Sequence, residues 1–214
     1  MISSGKSTLV SLLVEHYKNN LQKPAYFLNE FKENDVVFNN LLKWHLEKKP
    51  NITLSFELYV LDSHISELYK IENELKKQFA DYFLFLDRFS VEHIIFSQIA
   101  FENDPKRWRS YKTMANKMID SFNIPDFVIY LDVNFETFKN RIFQRNRKAE
   151  IDNWNINEVY YKKLHHDYKS NFIKLCQEYG VNYCILDTNN KNQEEVLNEA
   201  LLQIENFRSN SKFN

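Results

Sequence analysis

The chain predicts a three-layer α/β fold, with a central parallel sheet covered by helices on both faces. Three observations predict it. Four short apolar runs each close on a polar or acidic residue, and amphipathic stretches of helical length separate them. The runs are near-continuously apolar rather than alternating, as strands buried on both faces are. The chain also opens on Met1-Ile2-Ser3-Ser4-Gly5-Lys6-Ser7-Thr8. Gly5, Lys6 and Ser7 form the second half of a G-x-x-x-x-G-K-[ST] phosphate-binding loop, which in such folds leads into a helix.

The elements follow in order. Directly after Thr8 the apolar positions Leu9, Val10, Leu12 and Leu13 have helical spacing. Gly5 is one of only two glycines in 214 residues, so its place in this motif is informative. Glycine lets the backbone curl its N–H groups around phosphates, and the helix N-terminus adds positive partial charge. Strands are expected from Pro24 to Leu28, from Tyr82 to Leu86 before Asp87-Arg88, from Phe127 to Leu131 before Asp132, and from Val181 to Leu186 before Asp187-Thr188. Helix-period segments cover about 36–48, 52–79, 89–121, 135–146, 156–179 and 193–207. Neither an internal repeat nor a Pro/Gly/Ser-rich linker divides the chain, so residues 1–214 are read as one domain.

Composition narrows the function classes. Hydrophobic residues make up 43% of the chain, enough for a sizeable core, and a net charge of -1 gives no general pull toward nucleic acid or membrane. No apolar run approaches the ~20 residues of a spanning helix. Neither a nucleic-acid nor a membrane partner is therefore expected, and a cytoplasmic protein is. Cys176 and Cys184 are too few for a zinc site and are read as reduced, buried residues.

In a parallel sheet, ligands bind beyond the carboxyl ends of the strands, where Glu30, Asp87 and Arg88 fall. Phosphoryl transfer needs a phosphate cradle, a lysine, a metal near the phosphates, a base for the attacking hydroxyl and cations for developing charge. Ser4, Gly5, Lys6, Ser7 and Thr8 supply the cradle for ATP, with the Ser7 hydroxyl as a magnesium ligand. Glu30 can serve as the base; the bland reading is a solvated loop carboxylate. Asp87 can hold magnesium through water and Arg88 can hold a phosphate or a substrate hydroxyl, against a helix-capping Asp beside a surface Arg. Arg141, Arg145, Arg147 and Lys148 form the densest basic cluster, and Arg141 and Arg145 share a helical face. They are read as a lid that closes over phosphates, against a solvated basic face. Adjacent histidines such as His165 and His166 point apart on a helix and are not read as metal ligands; Trp108 and Tyr111 are read as packing residues.

Together these motifs resemble the deoxynucleoside kinase family, phosphate-binding-loop enzymes that move the ATP γ-phosphate to the 5′-hydroxyl of a deoxynucleoside in salvage. The resemblance runs over nearly the whole chain. Glu30 with Asn34 resembles the segment carrying the general base. Phe56-Glu57-Leu58-Tyr59 resembles the Phe-Gln-x-Tyr segment that reads the base. Asp87-Arg88 resembles the acid-Arg-Ser motif, whose acid works with magnesium and whose Arg lies near the 5′-oxygen. Pro125 to Asp132 resembles the strand before the lid helix, Arg141 to Arg147 the lid with its three arginines, and Tyr161 to Tyr168 the helix after it. Glu150 falls where the family holds the sugar 3′-hydroxyl, so the lid is taken as about 141–152. The resemblance implies ATP and a deoxynucleoside as ligands, magnesium as cofactor, and a homodimer or a heterodimer with a paralogue. It also puts the first strand in the middle of the sheet, between those bearing Asp87 and Asp132. Met1 to Ser4 fill all four x positions of the loop, so that strand and the first loop glycine would precede Met1. Met1 is accordingly expected to be an internal methionine of a longer protein.

The chain departs from the family pattern at several positions. Glu57 replaces the base-reading Gln, and an ionised Glu can only accept hydrogen bonds. His93 stands where bacterial members often carry Asp, His64 where an Arg is usual, and Phe89 replaces the motif's Ser; Glu92 is kept. Glu57 and His93 are read as a compensating exchange that alters base preference or lowers activity. Two rivals remain. Asp87-Arg88-Phe89 suits a thymidylate kinase, but the Glu30 region has no Gly-Gly stretch and its acids would repel a monophosphate. A non-catalytic paralogue would explain the altered Glu57, His93 and Phe89 and the incomplete loop, but not the intact Lys6, Glu30, Asp87-Arg88 and lid arginines.

Overall fold

The computed structural model describes residues 4–29 and 34–211. Glu30, the expected base, and Met1 lie outside the described residues. All four strands are present, each within one residue of its expected limits: β1 (Ala25–Leu28), β2 (Phe83–Leu86), β3 (Phe127–Asp132) and β4 (Asn182–Asp187). The helices are α1 (Lys6–Glu15), α2 (Val36–Leu46), α3 (Thr53–Gln78), α4 (His93–Ala100), α5 (Pro105–Met118), α6 (Phe135–Arg145), α7 (Lys148–Asp152), α8 (Trp154–Tyr179) and α9 (Gln193–Ser211).

The helical segment expected over 89–121 is in fact two helices, preceded by a 3-10 turn at Ser90–Glu92. The break is chemical. Asp104 accepts the Arg107 N–H at 3.0 Å as an N-cap, and Pro105 occupies the first helical turn, where its missing N–H costs nothing. The five-residue α7 was not expected, because one turn carries no readable period.

Pairing is parallel throughout. Ala25 to Leu28 pair in register with Phe83 to Leu86, and Phe127 to Asp132 with Asn182 to Asp187. The two-residue period then sorts side chains between two cores. Phe127, Ile129, Leu131, Cys184 and Leu186 join Phe83 and Phe85 against α1 and α9. Val128, Tyr130, Tyr183 and Ile185 face α4, α5 and α8. This is the three-layer arrangement, with helices on both faces of parallel strands. Among the described residues no strand lies between β2 and β3. A cavity of about 590 Å³, lined by both strands and by Leu9, Val10 and Leu13 of α1, separates the two pairs.

Candidate active site

A second cavity, of about 700 Å³, lies at the carboxyl ends of β1 and β2. It is lined by Ser4 to Thr8, Glu57, Asp87, Arg88, His93, Arg141, Arg145, Arg147 and Glu150. Each described residue read as phosphate cradle, magnesium ligand, lid arginine or substrate contact therefore lines one space, and Lys148 does not. Asn29, the residue before Glu30, lines it too.

At one end sits the loop. Gly5 has φ +95°, a left-handed conformation that other L-residues adopt only under strain. It opens α1 through a Leu9 N–H to Gly5 O bond of 3.0 Å, putting Lys6 and Ser7 in the first turn. The Ser7 hydroxyl donates to Asp87 Oδ2, and Lys6 Nζ lies 3.6 Å from Asp87 Oδ1. Asp87 is held in place because its N–H continues the β1–β2 ladder to Leu28 O at 2.9 Å. Burial pushes the Asp87 carboxyl up, but Lys6, the Ser7 hydroxyl and Arg88 outweigh it and keep the group ionised, below its usual range. No cluster of three or more His, Cys, Asp or Glu side chains suited to a metal exists among the described residues. One carboxylate and one hydroxyl still fit magnesium, which is commonly bound through one or two carboxylates plus substrate phosphates.

Arg88 marks the middle of the cavity. It has φ +82°, an uncommon backbone state for a long side chain and the kind of strain that collects at functional sites. Its guanidinium is fixed from three sides. Nη1 donates to Glu92 Oε1 at 2.7 Å and to Tyr168 Oη at 2.6 Å, and the group stacks 4.6 Å over the Phe96 ring. Tyr168 in turn donates to Glu92 Oε1. Burial would raise the Glu92 carboxyl, but Arg88 holds it at about 2. Hydrogen bonds tie the buried Arg88–Glu92–Tyr168 set together, which offsets the cost of burying charge in low dielectric.

The far end is built from α3 and α4. Glu57 is only 4% exposed and accepts from Ser97 Oγ at 2.7 Å. His93 is 2% exposed, and its Nε2 has no hydrogen-bond partner. His64 packs edge-on against it with ring centroids 5.2 Å apart. Burial holds both imidazoles neutral: His64 falls to about 4 and His93 well below its usual value, helped by His64 and Arg88.

The lid reaches over the loop. Arg141 donates to Ser4 O at 3.1 Å from α6. The αL residue Asn146 ends α6 and turns the chain into α7. There the buried Glu150 accepts from Arg145 and from Arg147, the latter at 3.3 Å.

A deoxynucleoside kinase family model matches residues 1–208. The chain belongs to the deoxynucleoside kinase family. It is 28% identical over 189 residues to an uncharacterized protein of Mycoplasma genitalium, covering 87% of this chain and 79% of that one. It is 23% identical over 207 residues to the deoxyguanosine kinase of Bacillus subtilis (93% and 87%), and 26% identical over 197 residues to the thymidylate kinase of Nautilia profundicola (91% and 88%). Its fold matches deoxyadenosine kinase from M. mycoides, solved with dCMP and dCDP, at TM-score 0.73, 20% identity and 96% of each chain. The mixed α/β architecture is thus that of the family.

Several residues that line the cavity or hold its lining side chains carry no motif. Ser97 and Tyr168 come from α4 and α8, 40 and 76 residues from their acidic partners. Thr188, Lys191 and Asn192, after β4, line the cavity near the loop. The one sequence signal for them is the position of Asp187-Thr188 at the carboxyl end of a parallel strand.

Proposed function

We propose that the chain transfers the ATP γ-phosphate to the 5′-hydroxyl of a deoxynucleoside. The observation carrying this reading is one 700 Å³ cavity with Lys6, Ser7 and Asp87 at one end, Glu57 and His93 at the other and Arg88 between them. Its size suits a small-molecule site, and both ends can be engaged at once.

The loop N–H groups and Lys6 cradle the donor phosphates. Ser7 and Asp87 would hold magnesium, whose charge offsets that of the phosphates when it is bound. Arg88, fixed by Glu92 and Tyr168, orients the acceptor oxygen at no further ordering cost. Glu30, just past β1, takes the 5′-hydroxyl proton, a role worth roughly 10²–10⁴ in rate. Arg141, Arg145 and Arg147 face the transferred phosphoryl, and Glu150 holds the sugar as the lid closes. In this conformation Glu150 clasps Arg145 and Arg147, so sugar and phosphate binding draw on one linked set of charges.

A second reading, thymidylate kinase, is favoured by Phe89 after Asp87-Arg88 and by the Nautilia relative. One experiment separates them. Purified protein with ATP and magnesium should convert a deoxynucleoside to its 5′-monophosphate; turnover of thymidine monophosphate alone would replace the first reading with the second.

A further inference from the structure

Resting on the kinase reading, we propose that the α3–α4 end of the cavity selects a guanine base, read by the Glu57 carboxylate. Glu57 is buried, lines the cavity and accepts the Ser97 hydroxyl. That bond fixes the carboxylate as an acceptor, and a carboxylate accepts several hydrogen bonds at once, so Ser97 does not exhaust it. What fits opposite is a base edge presenting two adjacent donors.

Only one of the four natural bases does so. Guanine offers N1–H and the N2 amino group side by side, and two parallel N–H···O bonds to a carboxylate result. Adenine and cytosine place a ring-nitrogen lone pair beside their amino group, which meets a carboxylate oxygen repulsively. Thymine offers one N–H between two carbonyl oxygens. Charge-assisted and paired bonds are also the strong ones.

The second observation is His93. His93 lines the same cavity, and its Nε2 is buried and lacks a hydrogen-bond partner. A neutral imidazole protonated there donates to guanine O6, next to N1 on the edge that Glu57 holds. The adenine N6 amino group would meet it donor to donor. The apolar walls for the ring come from Phe56, Val60 and Phe96.

The test is equilibrium binding of deoxyguanosine, deoxyinosine, deoxyadenosine, deoxycytidine and thymidine to the full chain by calorimetry, followed by turnover of each. A hydrogen bond to a charged group is worth about 10- to 100-fold in affinity. Deoxyguanosine should therefore bind about 10- to 100-fold tighter than deoxyinosine, which lacks only the N2 amino group, and by at least as much over the rest. Glu57→Gln, which can donate and accept, should lower the guanine-to-adenine affinity ratio by a similar factor. Equal affinity for deoxyguanosine and deoxyinosine, or tighter deoxyadenosine binding, overturns the proposal, and the inosine comparison needs no variant. Guanine-selective binding without turnover would uphold it while removing the kinase reading; turnover with a different preferred base would do the reverse.

Discussion

The two ends of the cavity solve different problems with different materials. At the phosphate end, Gly5, Lys6 and Ser7 are consecutive, and Asp87 meets them from the end of β2. Oxygen and nitrogen groups there are charged and paired with each other. At the base end, Glu57, Ser97, His64 and His93 converge from two helices, and the histidines are buried and neutral. The difference teaches where specificity resides. Phosphate chemistry is common to all substrates and can be written in a local motif. On the proposed function, base choice depends on which lone pairs and protons the packing of α3 on α4 leaves facing the cavity. Arg88 stands between the two ends on a strained backbone.

The largest effect should follow from the phosphate end. Glu30→Gln should lower kcat by roughly 10²–10⁴, and Lys6→Ala by roughly 10²–10³. Both losses should be alike for every nucleoside, which a kcat comparison across bases checks; a base-dependent loss would break the division. Arg88→Ala should act on both ends and on stability. It leaves Glu92 buried without its ion-pair partner, at about 3–5 kcal/mol, readable by chemical denaturation. Arg88→Ala unfolding at the wild-type midpoint would show that the Glu92–Tyr168 set stands without it.

Next is pH. His45 and His64 are held at about 4, chiefly by burial, against 6.5 when unfolded. Below pH 6.5 the unfolded chain binds protons that the folded chain refuses. Stability should fall as pH drops from 6.5 to 4, by up to about 1.4 kcal/mol per pH unit for each histidine. Glu92, lowered to about 2 from 4.5, adds a further loss between those values. His64→Asn should flatten the upper part of the curve. The smallest effect is expected at the lid, where Glu150→Gln loses pairs with partly exposed arginines, worth about 0–1 kcal/mol in stability. Its sharper readout is a raised KM for the nucleoside.

How much of this was legible in the sequence follows from the same contrast. The strands read to within a residue because runs such as Tyr82 to Leu86 are apolar without interruption. The break between α4 and α5 is masked because apolar spacing carries across Phe101, although Asp104-Pro105 is an N-cap signal. In the site, Gly5-Lys6-Ser7 and Asp87-Arg88 announce themselves through local order. The Ser97 bond to Glu57 and the Tyr168 bonds to Arg88 and Glu92 join residues 40 to 80 apart, which only packing brings together. Arg88's positive φ has no sequence signature at all, since the residue type argues against it.

The measurement that bears most directly on the account is product formation from ATP, magnesium and each of the four natural deoxynucleosides, for the chain and its Lys6→Ala variant. One ADP and one nucleoside 5′-monophosphate should form per turnover, fastest with deoxyguanosine and slowed roughly 10²–10³-fold in the variant. No monophosphate from any nucleoside, with ATP bound, would contradict it.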